Sequence, residues 1–183
     1  MMRKGIIASI LIFSISLSFG QSINDKNLKQ INSSINLFKT SYSESKNTLI
    51  SPISVSIAMA MAYEGAKGET AKEFMNILSF AKNKTKHRKF YSETIKELNS
   101  SSQSQLKIAN IIVAQKNYSF LKRYFKNLKA YETLVKYADF ANPEERKKTQ
   151  EDINNWVSEN TKNKIKNLIK ENSFDHLTRL VIV

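Results

Sequence analysis

Residues 53–64 constrain this chain more than any other stretch. Val55, Ile57, Ala58, Met59, Ala60, Met61 and Ala62 leave a helix there with no polar face apart from Ser54 and Ser56. Ser51-Pro52 supplies an N-cap followed by proline at the first helical position. Gly65 and Gly68, flanking Ala66-Lys67, place conformational freedom at a single turn on the far side. An all-round apolar helix this short must be buried among other elements rather than span a membrane. Its alanines let those neighbours approach closely. A chain built around such a helix has to wrap it, so other helices and strands must supply the walls.

The rest of the sequence offers candidates. Leu28, Ile31, Ile35, Phe38 and Tyr42 recur at helical spacing over 27–42. A second helix follows Gly68, with Ala71, Phe74, Ile77 and Leu78 on one face. Another runs to about Asn99, with Tyr91, Ile95 and Leu98 inward. Residues 106–115, rich in Ile and Val, read as a strand. Phe120, Leu121, Tyr124, Phe125, Leu128 and Tyr131 form a helical stripe, and 133–140 alternates enough for a second strand. Asn142-Pro143-Glu144-Glu145 starts a further helix, with acids suited to its dipole and Ile153, Trp156 and Val157 as its buried stripe. Residues 177–183 are β-prone and stop within an apolar run, which reads as a buried strand cut short. The fold class is therefore α+β, in an incomplete chain.

Residues 1–20 read as a secretory signal peptide. Arg3 and Lys4 precede an apolar run that ends at Ser18-Phe19-Gly20. The run is about fourteen residues long, short of the roughly 20 a membrane span needs. The expected location is secreted and extracellular, with no membrane contact once the leader is removed. The whole chain carries 29 Lys+Arg against 16 Asp+Glu, a net charge of +13. Removing two leader cations leaves +11 on residues 21–183. Secretion would give meaning to the sequons at Asn32, Asn83, Asn99 and Asn117 as N-glycosylation sites.

Several function classes drop out. The chain has no Cys, so a disulfide scaffold, a Cys-ligated zinc site and a thiol nucleophile are excluded. His87 and His176 are the only histidines, and neither sits in a motif. No glycine loop of the phosphate-cradling kind exists. We therefore expect no catalytic residues, no metal and no cofactor. Lysines interleave the aromatics at 120–131, but those aromatics have core-facing spacing, so nucleic acid is not an expected partner.

The block from Leu49 through Ile50-Ser51-Pro52-Ile53-Ser54-Val55-Ser56-Ile57-Ala58-Met59-Ala60 resembles the early signature of the serpin superfamily. Tyr63-Glu64-Gly65-Ala66-Lys67-Gly68-Glu69-Thr70 is similar to that family's helix-turn-helix. Leu106-Lys107-Ile108-Ala109-Asn110 resembles the second strand of its central sheet. Ile153-Asn154-Asn155-Trp156-Val157 with Thr161-Lys162-Asn163-Lys164-Ile165 resembles helix F and its exit. Leu177 to Val183 looks like the start of the third strand. Each block alone is weak, but the five are collinear.

The resemblance implies a serpin fold represented by its N-terminal helical region and the first strands of the central sheet. Residues 21–183 would be the N-terminal part of one domain, truncated within the third strand. It implies a monomeric parent that inhibits serine, or in some cases cysteine, proteases as a suicide substrate. In that mechanism a reactive-centre loop is attacked, then inserts as a strand while the protease stays trapped as an acyl-enzyme. The loop lies beyond Val183, so the chain alone is expected to be inactive. A non-inhibitory serpin acting as carrier, chaperone or glycan-binding protein is the alternative, and a short secreted basic polypeptide a third.

By resemblance, Ser51 and Ser54 are polar members of the shutter, where the sheet parts. Their partners would be an Asn just past Val183 and a later His; for Ser51, a plain N-cap is an equal reading. Lys86, Lys89 and Lys96, with Lys82 and Lys84 nearby, form a candidate contact for sulfated glycosaminoglycan. A solvated helix face explains the same lysines, and Glu93 falls among them.

Overall fold

The computed structural model describes residues 25–100 and 106–183. The leader assigned to residues 1–20 lies outside them. Among the described residues there are six α-helices and three strands: α1 (Asp25–Ser41), α2 (Pro52–Gly65), α3 (Gly68–Leu78), α4 (Lys84–Ser100), β1 (Asn110–Gln115), α5 (Lys122–Leu128), β2 (Thr133–Ala138), α6 (Pro143–Asn160) and β3 (Leu180–Ile182). A single 3-10 turn, Lys129–Tyr131, continues α5.

The strands form one sheet in the order β2-β1-β3. β1 runs parallel to β2, in a register that places Asn110 beside Thr133 and Gln115 beside Ala138. A parallel pair needs a crossover, and α5 with its 3-10 turn supplies it. β3 lies antiparallel on the other side of β1, with Ile112 beside Ile182 and Ala114 beside Leu180. The central strand is buried on both faces, which is why Asn110–Ala114 reads as a nearly unbroken apolar run rather than an alternation.

Alternate side chains of the sheet feed two cores. On one face Ile112, Leu180 and Ile182 join Ile57, Ala60 and Met61 of α2, Tyr91 and Ile95 of α4, and Leu128 of α5. On the other face Ile111, Val113 and Val181 meet Ile153 and Val157 of α6, together with Phe140. α6 is capped by Asn142, whose Oδ1 accepts the Glu144 and Glu145 backbone N–H groups at 2.9 and 3.2 Å.

The central expectation holds. α2 begins at Pro52, next to its N-cap Ser51, and ends at Gly65, with Ile57, Ala60 and Met61 wholly buried. Gly68 then takes φ +56°, a left-handed value that costs a side-chain-bearing residue more. The stripe on α1 behaves differently. Leu28, Ile31, Ile35, Phe38 and Tyr42 form a helical face as expected, but all five are 43–55% exposed. The helix touches α2 and α3. Ser33 ties it to α3, its Oγ donating to the Ile77 carbonyl at 3.2 Å. Leu121 is likewise exposed, because α5 begins only at Lys122.

Candidate functional site

α2 carries the polar groups of interest at its two ends. At the N-terminal end Ser51 is extended, at φ −114° and ψ 94°, and its Oγ accepts the Ser54 backbone N–H at 3.4 Å. The two hydroxyls lie 2.8 Å apart. Both serines are exposed. The residues assigned to the shutter are thus brought together, each answering the other, beside a helix that touches β3.

The C-terminal end holds a feature that sequence reasoning missed. The Glu64 side chain is fully buried. Arg88 of α4 forks onto it, with Nε donating to Oε1 at 3.0 Å and Nη2 to Oε2 at 2.8 Å. The Tyr131 hydroxyl donates to Oε1 at 3.0 Å and Asn127 Nδ2 to Oε2 at 3.0 Å. Four donors therefore satisfy one carboxylate, which is what a buried charge requires. The Tyr131 hydroxyl is pushed well above its ordinary titration range, first by burial and then by the Glu64 charge. Arg88 is held further up by its hydrogen bond to Glu64. The available signal was a single acid inside an otherwise apolar helix, since a charge in such a setting is rarely left unpaired.

Lys84 completes this end. Its Nζ donates to the carbonyls of Tyr63 and Ala66, both at 2.5 Å, and sits 4.4 Å from the centroid of the Tyr63 ring. A cation on the last carbonyls of a helix suits the negative end of its dipole. This alters the proposed glycan strip. Lys84 turns inward as a helix cap and is not presented with the others. Lys89 pairs with Glu93 at 3.7 Å, while Lys82, Lys86 and Lys96 stay exposed.

Nearby, His87 is buried among the rings of Tyr63, Phe80 and Tyr91, with centroids 5.3, 4.4 and 4.9 Å away. It belongs to the aromatic core. Burial pushes the Tyr91 hydroxyl up to about 12, and the same cause raises Tyr124 to about 12. His176 lies in an exposed turn before β3. No group of His, Cys, Asp and Glu that could hold a metal ion occurs among the described residues. Among these residues no helix is long and apolar enough to cross a membrane.

The sequon asparagines are all exposed but differ in what their amides do. Asn99 Nδ2 donates to the Ile108 carbonyl at 3.0 Å and to Glu132 at 3.1 Å, while its Oδ1 accepts the Ile108 N–H at 2.7 Å. That side chain ties α4 to the segment leading into β1, and a glycan on its nitrogen would compete with the tie. Asn83 Oδ1 accepts the Lys86 N–H at 3.0 Å at the start of α4. Asn117 takes φ 59° in the turn after β1. Asn32 lies on α1.

Residues 29–183 match the family described as Serpin (serine protease inhibitor). Serpin B6 from Pongo abelii is 38% identical over 154 residues, and Serpin B3 from Homo sapiens 37% over 159. Those matches cover 81% and 77% of this chain but only 40% of each relative, so the chain spans about two fifths of their length. Among solved structures, a loop C-sheet serpin polymer superposes with a TM-score of 0.75 at 28% identity. That match covers 88% of this chain and 42% of the other. A cleaved Serpin 42Da superposes with a TM-score of 0.73 at 26% identity, covering 86% and 41%.

These relatives correct one expectation. The secreted, extracellular location is overturned, because the similar Serpin B proteins are intracellular, cytoplasmic serpins. The physical reason is the weakness of the signal: a basic start and a short apolar run are compositional features, and they set an address only when a targeting machinery reads them.

Proposed function

Because the chain belongs to the serpin (serine protease inhibitor) family, matched over residues 29–183, we propose that the protein containing it inhibits serine-type endopeptidases as a suicide substrate. One observation supports this reading above the others. β3 pairs antiparallel with β1, and α2, which begins beside the Ser51–Ser54 pair, packs against it. The family's mechanism requires a strand to enter the central sheet beyond its third strand. The Ser51–Ser54 pair lies at the start of the helix beneath that strand, where parting of the sheet would expose or bury hydroxyls.

The test uses the full-length protein. It is incubated with trypsin-like and chymotrypsin-like serine proteases, and with a papain-like cysteine protease, then resolved under denaturing conditions. The expected result is a covalent one-to-one complex with at least one serine protease. Cleavage near the C-terminus by every protease, with no such complex, overturns the inhibitory reading in favour of a carrier or chaperone role.

A further inference from the structure

Beside the Glu64 network lies a cavity of about 340 Å³, bounded by the turn after α2, the start of α4 and the start of α5. Four of its lining residues are cations: Lys67, Lys84, Arg88 and Arg123. Its one carboxylate is Glu64, and both Glu64 oxygens are already engaged by Arg88, Tyr131 and Asn127. Among the described residues, no ion pair joins Lys67, Lys84 or Arg123 to an acid. Lys67 and Arg123 line the cavity and are exposed. Arg88 commits Nε and Nη2 to Glu64, leaving Nη1 for another acceptor.

We propose that this cavity binds a compact oxyanion of the phosphate or sulfate class, held by Lys67 and Arg123 with Lys84 and Arg88 behind them. A partly enclosed, single-sign cluster concentrates potential where water is scarce. Guanidinium groups suit tetrahedral oxyanions because their N–H groups present a planar fork. The titration of Lys84 agrees. Its ammonium is pushed below its ordinary value of 10.5, first by burial; Glu64 pulls it up, and Arg123, Arg88 and Lys67 push it down again. An anion among those cations removes that mutual repulsion. This site is separate from the exposed strip of Lys82, Lys86, Lys89 and Lys96.

The experiment is an NMR titration of the isotope-labelled full-length protein with inorganic phosphate, then inorganic sulfate, against chloride at matched ionic strength. Saturable shifts confined to residues 64–67, 84–88 and 121–127 are expected. R123Q should weaken phosphate binding about tenfold, the effect of roughly one charge-assisted hydrogen bond. K67Q, in an exposed turn, should weaken it less, and it keeps the test decisive if R123Q folds poorly. K136Q, an exposed lysine on β2, should bind as the parent does. O-phosphoserine identifies the source. Tighter binding than phosphate points to a phosphate group on a larger molecule; tighter binding of phosphate points to the free ion. Absence of saturation by either inorganic anion overturns the proposal, as does equal weakening by K136Q.

Discussion

The two ends of α2 handle polar groups in opposite ways. At the C-terminal end a carboxylate is buried completely and four donors from α4, α5 and the following turn converge on it. At the N-terminal end two hydroxyls stand in the open and bond to one another. One end is closed by residues that this chain supplies. The other is left in a state that further packing can change at little cost. The difference shows that a helix without a polar face can still be polar at its tips, and that the partners at each tip decide its rigidity.

Replacing Arg88 attacks the closed end most directly. R88M strands the Glu64 charge in the core, and unfolding in urea should show a loss of about 3–5 kcal/mol. A shift under 1 kcal/mol would mean that Tyr131 and Asn127 hold the carboxylate unaided. Alkaline pH attacks the same end next. Tyr91 and Tyr124 titrate near 12 in the fold, against an ordinary value of 10.0. The unfolded chain loses those protons first, so stability should fall as pH rises above 10. At pH 11 each contributes a loss of about 1 kcal/mol. Lys84, shifted down, acts oppositely but only below 10.5. Denaturation midpoints at pH 10.5 and 11.5 therefore isolate the tyrosines, and a flat or rising profile would contradict their burial.

The open end should respond weakly. S51A removes the cap of α2 and should cost about 1 kcal/mol. S54A removes an exposed hydroxyl whose backbone N–H keeps its partner, and its effect should stay within about 0.5 kcal/mol. A larger loss for S54A than for S51A in thermal unfolding would reverse the view of this end as a simple cap.

How far each end was legible follows from the range of its contacts. The start of α2 is written locally, in Ser51-Pro52, and its stop in Gly65 and Gly68. β1 and α6 were legible for the same reason: an unbroken apolar run in one, Asn142-Pro143 in the other. The Glu64 network was not, because Arg88, Asn127 and Tyr131 come from distant stretches of chain and no spacing rule links them to a helix tip. Lys84 sits within a basic run, and nothing local says that it alone turns inward. The α1 stripe shows the converse error. Its periodicity announced a helix correctly, but periodicity cannot say what covers the face.

The sheet also dictates an order of events in time. β1 and β2 are joined through one short helix, so their pairing closes a modest loop. β3 joins β1 only after the chain from Ile112 to Ile182 has been made, and in three residues. Closing so long a loop for so short a ladder is entropically costly and slow. On the ribosome, the helices around α2 and the β1–β2 pair can consolidate while β3 is still in the exit tunnel. Of these three strands, β3 should then be the last to dock.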